Sequence, residues 1–207
     1  MAMIDTLRTL LSLVLPTAAA IAGTKAAEAG ETTLENLKTA FNGESNARAR
    51  YLAFAAKADQ EGYAEAASLF RAAARAEQIH AANHAAVIVR MGGKAEAKIE
   101  SVEVKSTREN LQAAIAGEIY ERDVMYPQFS AVAEKEKNPA ALRTFQYALK
   151  AEAEHAKLFS GALDNLETMK TKCYYFVCPV CGYTVKQLNF VQCVVCLCAK
   201  AKFEAVS

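Results

Sequence analysis

The chain has 207 residues, with 24 Lys+Arg against 23 Asp+Glu and a net charge of +1. That balance gives no basic surplus for nucleic acid and no acidic surplus for disorder, while the 53% hydrophobic fraction, much of it alanine, is ample for the core of one or two domains. The six cysteines all fall within residues 173–207, so a cysteine-free body precedes a short cysteine-rich tail that needs a metal or disulfides to fold.

Residues 1–31 read as an N-terminal extension. The apolar run Leu11 to Ala22 is interrupted by Pro16 and is too short to span a bilayer. It suits either a short extra helix or a secretory signal with small residues near Ala20, although Asp5 offsets Arg8 in what would be the basic region. Thiolate metal sites favour a reducing compartment, so a cytoplasmic location is expected, with export through an N-terminal signal as the alternative.

Thr32-x-x-Glu35 is a capping box, and a helix is expected from Thr33 to Glu61, stopping at Gly62. A second should run from Tyr63 to Met91 and stop at Gly92-Gly93. Lys94 to Lys105 has no helical period. Ser106-x-x-Glu109 caps a third helix reaching Lys137, kinked at Pro127. Asn138-Pro139 starts a fourth, expected to reach Lys170. Four long helices with short, long and short connections describe a ferritin-like four-helix bundle over residues 32–171, followed by a metal-binding tail over residues 172–207.

Each helix carries acid in alanine-rich surroundings: Glu44, then Glu77-x-x-His80, then Glu118 with Glu121, then Glu152-x-x-His155. Residues three apart share a helix face, so each Glu-x-x-His aims a carboxylate and an imidazole at one point. Glu44 to Glu77 spans 33 residues and Glu118 to Glu152 spans 34, and all four glutamates lie at similar depth from the hairpin turns. Two such hairpins match the di-metal carboxylate pattern of bundles. Buried carboxylates need cations, and oxygen ligands with imidazole suit iron or manganese, with zinc as a further choice. Tyr51, seven residues after Glu44, and Tyr126 are placed to hydrogen-bond ligating carboxylates; His84 shares the face of His80.

In the tail, Cys178-x-x-Cys181 and Cys193-x-x-Cys196 form a four-thiolate set that suits iron or, by spacing alone, zinc. The second pair lacks the proline and glycine of the first, and Cys173 and Cys198 are surplus.

The segments FNGESNARARY, AEQIHAANH, AGEIYERDVMYPQF, AEAEHAKLF and CPVCGY, with the second Cys-x-x-Cys, resemble the rubrerythrin family from about Thr33 to Glu204. The resemblance implies a small rubredoxin-like domain of short β-strands behind the bundle. It implies two irons bridged by Glu77 and Glu152, with Glu44, His80, Glu118, Glu121 and His155 as terminal ligands. It implies a third iron on Cys178, Cys181, Cys193 and Cys196. Glu121 and His80 would exchange on one iron with its oxidation state. The implied activity is reduction of hydrogen peroxide to water, with electrons from a rubredoxin or an NAD(P)H-dependent reductase. The implied assembly is a homodimer or higher homo-oligomer in which one subunit's cysteine site lies near another's di-iron site. Iron storage, a zinc-ribbon scaffold and a di-iron oxygenase are the competing functions.

Overall fold

The computed structural model describes residues 32–207; the extension expected at residues 1–31 lies outside the described residues. Helices α1 (Thr33–Gln60) and α2 (Ala64–Arg90) form one hairpin. The second hairpin pairs α5 (Pro139–Asp164) with a composite helix: α3 (Thr107–Tyr120), a π-helical turn (Glu121–Met125) and α4 (Tyr126–Lys135). Together they make the four-helix bundle expected from the sequence. No described helix is long and apolar enough to cross a membrane.

Local chemistry sets the helix ends. Thr32 and Ser106 both close complete capping boxes. The Thr33 N–H also donates to Glu136 at 3.2 Å and the Thr107 N–H to Glu61 at 2.8 Å, so an acid from the far end of another helix faces each positive helix start. Asn42 and Asn46 on α1 pin the long connection through hydrogen bonds to Lys98 and Glu100.

Two expectations need correction. The fourth helix ends at Asp164 instead of Lys170. The Tyr63 N-cap gives α2 no side-chain bond, and the chain turns after Asp164 so that the Met169 carbonyl accepts the Glu65 N–H at 3.1 Å. Residues Leu166–Thr168 form a short 3₁₀ turn, with Leu166 and Met169 buried. Pro127 does not simply kink the third helix. The π turn just before it takes up one extra residue, and the Tyr126 N–H reaches back five residues to the Glu121 carbonyl.

The bundle core is two hydrophobic clusters separated by a polar layer. Tyr51, Phe54, Phe70 and Phe159 belong to one, and Tyr126, Phe129 and Phe145 to the other. Along every helix, the acidic residues noted above fall near the boundary between them.

The tail forms a small antiparallel sheet in the order β2–β1–β3, with β1 Tyr175–Val177, β2 Thr184–Val185 and β3 Glu204–Val206. Tyr175 and Val177 are buried in the first bundle cluster. Arg75 on α2 binds both oxygens of Glu204 at 2.7 and 3.0 Å, and Lys186 meets Glu65 at 2.5 Å. The tail is thereby seated along α2, and its first cysteine turn reaches the polar layer.

Candidate metal centres

In the polar layer, donor atoms of Glu44, Glu77, His80 and Glu152 lie within 4.8 Å of one another, as do those of Glu77, Glu118, Glu152 and His155. Glu77 and Glu152 belong to both groups. All six side chains are buried. Three carboxylate oxygens make no hydrogen bond: Glu44 Oε2, Glu77 Oε1 and Glu118 Oε2. Buried anionic oxygens without donors carry a large desolvation cost that cations remove. The residues present therefore fit a pair of divalent metals.

The histidines are oriented for the same purpose. His80 Nε2 lies 3.0 Å from the Cys181 carbonyl oxygen. A carbonyl only accepts, so Nε2 carries a hydrogen and Nδ1 faces the carboxylates, 2.9 Å from both Glu77 and Glu152. His155 Nε2 lies 3.1 Å from Thr184 Oγ1, whose own hydroxyl donates to the Gly182 carbonyl at 2.9 Å. That hydroxyl is therefore the acceptor for His155, and Nδ1 again points inward. Fixing one ring nitrogen as a donor leaves the other as a metal ligand.

The electrostatics are those of one coupled cluster. Burial, then the neighbouring Glu152, pushes the Glu77 carboxyl up to about 7. Burial works against the charged imidazolium of His80 and His155, but carboxylates outweigh it: Glu152 and Glu77 at His80, Glu118 and Glu152 at His155. Burial likewise opposes ionisation of Glu152, yet His80 and His155 hold its pKa below the usual range.

Tyr51 donates to Glu118 at 2.5 Å, and Tyr126 donates to Glu44. His84, fully buried, bridges Tyr126 and Thr144 with 3.1 Å contacts at its two ring nitrogens. Glu121 opens the π turn and stands outside both donor groups. Burial raises its pKa well above the usual carboxylate range, and the charges of Glu44, Glu152, Glu118 and Glu77 raise it further.

In the tail, Cys178, Cys181, Cys193 and Cys196 bring their sulfurs within 4.8 Å of one another. The Cys181 thiol beside Cys178, with burial opposing, draws the pKa of Cys178 down to about 4, favouring a thiolate ligand.

The rubrerythrin family model matches residues 35–163. The chain belongs to the rubrerythrin family. It is 39% identical over 179 residues to rubrerythrin-2 of Clostridium acetobutylicum, covering 84% of this chain and 96% of that one. It is 37% identical over 174 residues to nigerythrin of Nitratidesulfovibrio vulgaris, covering 84% and 86%. The structure of fully reduced, all-ferrous nigerythrin is similar with a TM-score of 0.81 at 36% identity, over 89% of this chain and 91% of that one. A Desulfovibrio desulfuricans bacterioferritin at 21% identity and TM-score 0.61 shares the bundle fold. Rubrerythrins are iron-dependent oxidoreductases, and family membership together with the two donor sets supports iron at both centres.

The structure brings together six of the seven expected bundle residues, and all four expected cysteines. Thr184, which orients His155, was not anticipated, and no spacing rule marks a threonine in a distant turn. The partner of His80 was also missed. The turn in contact with His80 belongs to the same chain.

Proposed function

We propose that the protein is a non-haem di-iron peroxidase that reduces hydrogen peroxide to water, with electrons relayed through the four-cysteine site. The observation that carries this reading is the bond from His80 to the Cys181 carbonyl. It joins a ligand candidate of the bundle to a ligand candidate of the tail through one imidazole ring. A storage protein or a scaffold has no use for that contact.

The reaction consumes two electrons and two protons: H2O2 + 2 e⁻ + 2 H⁺ gives two waters. A pair of ferrous ions supplies both electrons at once, and a single iron among thiolates passes one at a time. Glu77 and Glu152, shared by both groups, would bridge the irons. Glu44 and His80 would complete one iron, and Glu118 and His155 the other. Tyr51 and Tyr126 hold their hydroxyl protons against Glu118 and Glu44, which fixes the carboxylates. The two aromatic clusters keep the layer between them free of bulk water.

Glu121 is the extra carboxylate, and exchange with His80 on one iron is its proposed role. Glu121→Ala is expected to retain its iron while peroxide turnover falls at least tenfold. Iron content by absorption and peroxide consumption by an oxidation-coupled assay check this; unchanged turnover overturns the exchange. Delivery of electrons by a rubredoxin or an NAD(P)H-dependent reductase, homodimer assembly and a cytoplasmic location complete the proposal.

A further inference from the structure

The tail holds two thiols more than a tetrahedral ion can use, Cys173 and Cys198. Cys196 and Cys198 flank Leu197, and both reach the same partner: their sulfurs lie 3.4 and 3.3 Å from Cys178 Sγ. Cys198 is not in the four-sulfur group. It is partly exposed, whereas Cys178 is fully buried. The backbone places it there. The Cys198 carbonyl accepts the Cys193 N–H at 2.8 Å, as the Tyr183 carbonyl accepts the Cys178 N–H at 2.9 Å. Cys198 thus holds the place in the second half of the site that Tyr183 holds in the first, with a reactive sulfur instead of a ring. The remaining surplus thiol, Cys173, packs with the bundle cluster and not with this one.

We propose that Cys198 is an oxidation site: hydrogen peroxide joins it to Cys178 in a disulfide, and the tail releases its metal. The exposed sulfur reacts first. The Cys198 sulfur attacks one peroxide oxygen, the O–O bond breaks, the thiol proton goes to the departing hydroxide, and a sulfenic acid and water form. The Cys178 thiolate then attacks the sulfenic sulfur, and the hydroxyl leaves with one proton from solvent as a second water. The net change is one thiol, one thiolate, one proton and H2O2 to one disulfide plus two waters, with both electrons drawn from sulfur. The two sulfurs start in contact, so closing to a bond of about 2.05 Å needs a side-chain movement of only ~1 Å. Three thiolates then remain, and a closed four-thiolate site is lost. Peroxide in excess of the electron supply would in this way disconnect the tail. The inference needs only the cysteine site and stands apart from turnover in the bundle.

The test uses the full-length, metal-loaded protein treated anaerobically with one to ten equivalents of hydrogen peroxide. Metal release is followed with a chromogenic chelator, and disulfides are mapped by mass spectrometry with fragmentation under non-reducing conditions. The expected result is a Cys178–Cys198 linkage formed in step with metal release and reversed by dithiothreitol and metal. Cys198→Ala should release metal at least tenfold more slowly, and Cys173→Ala at the wild-type rate. Metal loss from wild-type protein with no linkage to Cys198 overturns the proposal, a result that needs no variant to fold. Release from Cys198→Ala at the wild-type rate overturns it equally.

Discussion

In the first cysteine turn the Gly182 N–H donates to the Cys178 carbonyl at 3.0 Å; in the second the Leu197 N–H donates to the Cys193 carbonyl at 3.0 Å. Both central residues adopt left-handed backbone, with φ of 75° and 64°. The backbones match, but the surroundings do not. The first turn is pressed against the bundle: His80 takes the Cys181 carbonyl and Asn83 the Val180 carbonyl at 2.9 Å. A Cβ on Gly182 would stand 2.2 Å from His80 Nε2. The second turn faces water, with Val194 61% and Leu197 66% exposed. Left-handed backbone alone therefore does not demand glycine; a leucine tolerates it at a cost of roughly 1–2 kcal/mol. Close approach of another group does demand it. The first turn is the side that meets the bundle, and the second is open to solvent.

Substitution at the two turns should separate these cases. Gly182→Ala combines the left-handed cost with displacement of His80 and is expected to lose several kcal/mol of stability, about 3 or more. It should also slow electron transfer into the bundle. Chemical denaturation and reduction kinetics check both; a wild-type result would mean that the tail does not sit on His80.

The pH response of chelator-treated protein comes next. A carboxyl whose pKa rises on folding keeps a proton that the unfolded chain has released. For Glu77, raised from 4.5 to about 7, the contribution is full below 4.5 and is lost as pH rises through about 7. The metal-free protein should lose on the order of 3 kcal/mol over this window, while iron loading, which displaces those protons, becomes more favourable. Thermal unfolding from pH 5 to 8 with and without iron measures it. A metal-free profile that is flat or rises with pH contradicts the convergent cluster.

Thr184→Val removes the acceptor of His155 and is expected to cost about 1–2 kcal/mol and roughly ten- to a hundredfold in bundle iron affinity. A competition titration with a chelator reads the affinity, and unchanged iron binding would remove Thr184 from the site. The smallest effect is expected at the exposed turn. Leu197→Gly should leave stability within about 1 kcal/mol of wild type, and on the favourable side. Denaturation midpoints decide whether the sign is right.

The same contrast explains what could be read from the chain. The capping boxes at Thr32 and Ser106 are local, and so are the Glu-x-x-His pairs and the 33- and 34-residue repeat. Each survives in one dimension and each located its element. The π turn was not legible, because Pro127 announces a lost bond but not how the helix absorbs it. The early stop of α5 depends on the Glu65 N–H, about a hundred residues away in sequence. The seat of the first cysteine turn on His80 was hidden for the same reason. Gly182 carries two constraints at once, and the motif CPVCGY displays only the turn.

The most direct test of the account is stopped-flow mixing of fully reduced, iron-loaded protein with hydrogen peroxide, following the iron–thiolate absorption of the tail. The wild-type tail should reoxidise rapidly, at a rate independent of protein concentration. A Glu77→Ala/Glu152→Ala variant with its cysteine iron intact should reoxidise at least tenfold more slowly. Equal rates in the two proteins would show that the tail reacts without the bundle, and the proposed relay would fall.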